Sequence, residues 1–175
     1  MNRKILSALI VLAAPASAQT PPATAPAAPP PQQAALPPEK SISLDMALDA
    51  VQTAVNACKA ANSLAAVELV DLNDNVKVML VADGARPGLN ELARRKAYTV
   101  IKKGMSSGDF GKQVGPQARG APPIEGDANL ITFAGALPIK RGNDIVGAIS
   151  VSGPTGAAAD EACAQAGLDK IKGRL

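Results

Sequence analysis

Between Gln19 and Pro38, eight of twenty residues are proline and half of the remainder are alanine. A backbone so short of N–H donors cannot close a helix or a sheet ladder, and side chains this small have little to bury. The stretch therefore reads as a Pro/Ala-rich disordered linker over residues 19–38. Ahead of it, Arg3 and Lys4 precede the apolar run Ile5 to Ala14 and the small-x-small sequence Ala16-Ser17-Ala18. That is the pattern of a signal peptide over residues 1–18, cleaved after Ala18. The apolar run is about half of the roughly 20 residues that a spanning helix requires, so no transmembrane segment is expected after cleavage. A periplasmic or secreted location follows as an expectation.

Residues 39–175 then have the length of one domain. Loss of Arg3 and Lys4 leaves 16 basic against 15 acidic side chains, a balance near +1. A charge this small offers no footprint for nucleic acid, and two Phe, one Tyr and no Trp offer no stacking platform for single strands.

Within the domain, Ser43 suits a helix N-cap, and Leu44, Leu48, Val51, Val55 and Cys58 follow three- and four-residue steps, predicting a helix to about Ala61. Ala65 to Asp71 and Val76 to Ala82 read as a hairpin turned by Leu72-Asn73-Asp74-Asn75, where Asn tolerates positive φ. Leu89 to Lys103 reads as a second helix stopped by Gly104, and Ser106 as the cap of a short third one carrying Phe110 and Val114. Gly115 to Asp127 is too rich in Pro and Gly for regular structure. Leu130 to Phe133, Ala136 to Arg141 and Asp144 to Ser152 read as three strands, the last two joined by Gly142-Asn143, and Asp160 to Lys172 as the closing helix. The order α-ββ-α-α-βββ-α predicts an α+β fold with a five-stranded antiparallel sheet packed by the N- and C-terminal helices.

Cys58 near the end of the first helix and Cys163 early in the last invite a disulfide in an oxidising compartment; the alternative is two buried thiols. A bridge requires those helices to be neighbours.

The chain has no histidine. Ser-His and Cys-His catalysis, a histidine-rich zinc site and proximal-imidazole ligation are thereby excluded. No acid–base pair stands out, so an enzyme is the less favoured reading. Three polar clusters remain. Arg86, in a glycine-rich loop, and Arg94, Arg95 and Lys96, on the helix that follows, form either a carboxylate-binding set or a solvated face. Gly153 and Thr155 precede the last helix, where exposed amides can receive an anion, although such loops are commonly plain connections. Asp160 and Glu161 suit the positive end of that helix as capping charges. Tyr98, the only tyrosine, is either a packed ring or a phenolate ligand for ferric iron, and Met46, Met79 and Met105 are soft ligands or core.

Five blocks together resemble the GlcG/HbpS-like family of haem-binding domains: Ala57-Cys58-Lys59-Ala60, Arg94-Arg95-Lys96-Ala97-Tyr98-Thr99, Gly135-Ala136-Leu137-Pro138-Ile139, Ile145 to Gly153, and Asp160 to Leu168. The resemblance implies a profilin-like fold with the first and last helices side by side, which would bring Cys58 near Cys163. It also implies a homo-oligomer and a small-molecule ligand, haem for some members, which bind or degrade it. On this basis Arg86, Arg94 and Arg95 would meet propionates, with Tyr98 near the iron. The chain departs from the family where histidine is common, reading Arg86-Pro87-Gly88, and where a second glycine stands before Leu-Pro, reading Ala136. A structural or interaction module that has lost its ligand is the competing expectation.

Overall fold

The computed structural model describes residues 41–116 and 123–175; the expected signal peptide over 1–18 and the expected linker over 19–38 lie outside the described residues. Helix α1 (Leu44–Ala60) starts where predicted, with the Met46 amide donating to Ser43 Oγ at 3.2 Å. Strands β1 (Ala66–Asp71) and β2 (Val76–Val81) pair antiparallel. Their turn is tied by Asp71, whose Oδ1 accepts from the amides of Asn73 and Asn75, and the residue carrying positive φ is Asp74, not an asparagine.

Helix α2 (Leu89–Lys103) ends on Gly104 in the left-handed region, and α3 (Ser107–Val114) is capped by Ser106, which accepts from the Asp109 amide. Strands β3 (Ala136–Arg141) and β4 (Asp144–Ser152) form the second hairpin. Gly142 supplies the positive φ that its two-residue turn requires. Helix α4 (Ala157–Ile171) begins three residues before the predicted start and runs into a 3-10 turn over Lys172–Arg174.

The sheet has four strands among the described residues, in the order β2-β1-β4-β3, all antiparallel. The predicted fifth strand at Leu130 to Phe133 is not one. Leu130, Ile131 and Thr132 are buried, but their backbone is held by side chains of α2: the Ile131 amide donates to Thr99 Oγ1, and Arg95 donates to the carbonyls of Ala128 and Leu130. A short apolar run signals burial before it signals strand pairing, and here burial alone was meant.

Alternation along the central strands sorts the side chains into two layers. Val67, Leu69, Ile149 and Val151 join the main core under α1 and α4. Ala66 and Val70 of β1 and Ala148 of β4 meet Leu89, Ala93, Ala97 and Val100 of α2 on the opposite face. Helices α1 and α4 pack closely because Gly167 carries no side chain; a Cβ there would lie 2.6 Å from the Ala50 carbonyl oxygen. The closeness allows a Cys58–Cys163 disulfide with Cα atoms 5.4 Å apart, both residues buried.

The bridge spans 105 residues of sequence. In the chain-entropy account such a loop is worth roughly 4–5 kcal/mol. The double variant Cys58→Ala, Cys163→Ala should lose roughly 2–5 kcal/mol in urea denaturation. An unchanged midpoint would show that helix packing alone carries the α1–α4 contact.

Candidate functional site

Four of the residues singled out in the sequence gather along α2, which lies across one face of the sheet. Arg86, Leu89, Glu91, Leu92 and Arg95 line a cavity of about 350 Å³ at the start of the helix. Asp74, Glu91, Arg94, Arg95, Tyr98 and Asn129 line a neighbouring one of about 240 Å³. The two share Glu91 and Arg95 and adjoin along α2, where together they make up the α2 cleft.

The arginines are differently committed. Arg94 is already satisfied: its Nη1 donates to Asp74 Oδ1 at 2.7 Å, its Nη2 to the Asp74 carboxylate and carbonyl, and its Nε lies 3.6 Å from Glu68 Oε1. The hydrogen bonds to Asp74 hold its protonation above the ordinary value, against the cost of burial. Arg95 spends Nη2 on the carbonyls of Ala128 and Leu130, but its Nε is buried with no hydrogen-bond partner among the described residues. Arg86 is exposed, with no hydrogen bond or ion pair to the described residues. A guanidinium with open donors facing a partly apolar cavity can receive a carboxylate.

Lys96 belongs neither to a solvated face nor to an anion site. It is 2% exposed, and Nζ donates to Asp160 Oδ2 and to the Val151 carbonyl, both at 2.8 Å. Burial lowers the Lys96 pKa and raises that of Asp160, and each partner opposes the other's shift. Asp160, expected as a helix-capping charge, is the buried counter-ion. Gly135 makes room for the pair: it has φ +127°, and a Cβ would lie 2.7 Å from Lys96 Nζ and 2.6 Å from the Val151 oxygen.

Tyr98 borders the cleft, with its hydroxyl donating to Asp127 Oδ2 at 2.7 Å. That bond raises the phenol's pKa. Lys102 lies over its ring, 5.4 Å from the centroid. Gly153 sits elsewhere, against Ser63 and Asp160, and Thr155 is exposed beyond it; neither lines the α2 cleft. Met46 is in the core and Met105 packs near Phe110. Among the described residues no group of three or more His, Cys, Asp or Glu side chains could hold a metal ion, and no helix is long and apolar enough to cross a membrane.

Sequence reasoning passed over Glu68, Asp74, Glu91 and Asn129. Glu68 had a visible signal, since it is the one charged residue inside the apolar run Ala66-Val67-Glu68-Leu69-Val70. It is 0% exposed on the α2 side of the sheet, and neither carboxylate oxygen finds a hydrogen bond among the described residues. Burial pushes its pKa up to about 7; Arg94 opposes the rise, while Asp74 and Glu91 add to it.

Comparison with known proteins places this architecture. A model of the family described as haem-degrading protein, HbpS-like, matches residues 42–169. A crystal structure of HbpS is 29% identical with a TM-score of 0.67, covering 79% of this chain and 92% of that one. A double mutant of HbpS from Streptomyces reticuli gives 29% identity and 0.68 over 85% and 97%. A PduOC:heme complex gives 21% identity and 0.68 over 75% and 95%, a likeness of fold. No curated protein matches.

Because folding lifts the Glu68 pKa from about 4.5 to about 7, the native state binds that proton more tightly than the unfolded chain. The associated stability is complete below about pH 4.5, falls as pH rises towards 7, and is absent above it. Glu68→Gln should therefore be more stable than wild type at about pH 8 by roughly 2–3 kcal/mol and near parity at about pH 4.5 in urea denaturation. Equal stability at the higher pH would contradict the buried-acid assignment.

Proposed function

The chain belongs to the HbpS-like family, and from that premise we propose that it is an exported small-molecule-binding protein of haem-binding type, gripping its ligand by carboxylate groups at Arg86 and Arg95. One observation carries this reading: Arg86, exposed with its donors uncommitted among the described residues, and Arg95 line a single cavity whose wall includes Leu89 and Leu92. Charge-assisted bonds would take the acid groups, and the leucines would take the apolar body. The haem in the PduOC complex is an acid of that description. Export is supported by the Cys58–Cys163 bridge, which persists in oxidising compartments.

The residues present fit the acid end of haem. Haem, when bound, would supply an iron centre set in an apolar ring. A chain without histidine cannot hold that iron through imidazole. Tyr98 is within the cleft, but ligation through its oxygen requires the bond to Asp127 to break and the phenol to lose its proton. The grip at the carboxylates is therefore the principal contribution of these side chains, and iron ligation is secondary to it. The missing histidine also favours a second reading, a structural module of the same fold that has lost its ligand.

Titration of the purified protein with haemin should give a saturable Soret shift at stoichiometric protein. Arg86→Ala should weaken it roughly tenfold, the worth of one charge-assisted bond. An unshifted spectrum would remove the ligand-binding reading in favour of the structural module.

A further inference from the structure

Beneath the cleft lies an acid that ligand binding by Arg86 and Arg95 does not use. Glu68 stands in the middle of β1 with its carboxyl turned towards α2, shut off from water and without a hydrogen-bond partner among the described residues. The elements packed around it contribute one cation and two further acids. Helix α2 presents Arg94 and Glu91, and the β1–β2 turn presents Asp74. Opposite it on β4 is Ser150, whose hydroxyl is spent on the Ala93 carbonyl, and opposite it on β2 is the uncharged Met79.

Arg94 connects this buried layer to the cleft. Its Nε faces Glu68, its terminal nitrogens hold Asp74, and the same guanidinium lines the cavity that shares Glu91 and Arg95 with Arg86. With all three acids ionised around one arginine, the group is strongly negative, a poor neighbour for an incoming carboxylate. A proton on Glu68 removes one of those charges where water screens least.

We propose that Glu68 is a proton switch for the cleft: neutral, it lowers the negative charge beneath the cleft in which Arg86 and Arg95 receive an anionic ligand, and ionised, it adds a buried charge under Arg94 that repels that ligand. The inference rests on the reading that the cleft binds a carboxylate ligand. By linkage the effect is reciprocal, so occupation of the cleft drives a proton onto Glu68. The switch works near neutral pH, since burial lifts the Glu68 pKa to about 7.

The test compares haemin affinity of the full chain and of Glu68→Gln between about pH 6 and pH 8, where one linked proton changes affinity by at most about tenfold per pH unit. Titration of haemin itself is common to both proteins and cancels in their ratio. The two should bind alike at the acid end, and wild type should become several-fold weaker than the variant at the alkaline end. A constant ratio with clear binding overturns the switch and leaves ligand binding standing; no binding by either protein at any pH overturns both. Proton uptake on mixing wild type with haemin in weakly buffered neutral solution gives a readout free of the variant's folding. Wild type that binds haemin and takes up no proton overturns the switch.

Discussion

A lysine ammonium almost wholly removed from water needs a counter-ion and hydrogen-bond acceptors, and in this domain Lys96 finds them in the Asp160 carboxylate and the Val151 carbonyl. The contact joins α2, on one face of the sheet, to the first turn of α4, which packs with α1 on the other. It passes where β3 has not yet begun, and Gly135, lacking a side chain, leaves the passage open. Arg94 stands two residues earlier, about 200° around the helix axis, and ties the other flank of α2 to Asp74 on the β1–β2 turn. Two anchors on opposite flanks fix the rotation of α2. That rotation turns Glu91, Arg95 and Tyr98 into the cleft.

The same accounting of partners separates structural from functional charge. Four cationic side chains, Arg86, Arg94, Arg95 and Lys96, looked equivalent as a basic cluster. Lys96 and Arg94 are spent inside the protein, and only Arg86 and part of Arg95 retain donors for anything else. Burial of Glu68 under this layer is costly, and a domain of this size tolerates few such costs without another use for them.

Much of the fold was legible because the signals were local. The Ser43 and Ser106 caps, the Gly104 stop and the Gly142-Asn143 turn each act within a few residues, and each stands where the pattern placed it. The Cys58–Cys163 bridge was one of two readings, suggested by the expected compartment, and the neighbouring helices that it needs were implied by the family resemblance. The errors came from tertiary partners. Leu130 to Phe133 has the composition of a strand but finds its backbone partners in Thr99 and Arg95, thirty residues away or more. Asp160 has the position of a capping acid but is claimed by Lys96 across 64 residues. Glu68 was visible as an oddity in an apolar strand, but its neighbours come from two other stretches of chain, Asp74 from the β1–β2 turn and Glu91 and Arg94 from α2.

At the centre of the account is the claim that guanidinium groups grip a ligand by its acids. The most direct measurement compares the affinity of wild type and Arg86→Ala for haemin and for haemin dimethyl ester, which keeps the ring and iron and loses both negative charges. Esterification should weaken binding to wild type far more than to the variant, because the ester has nothing to offer Arg86. An equal loss in both proteins would contradict the carboxylate grip.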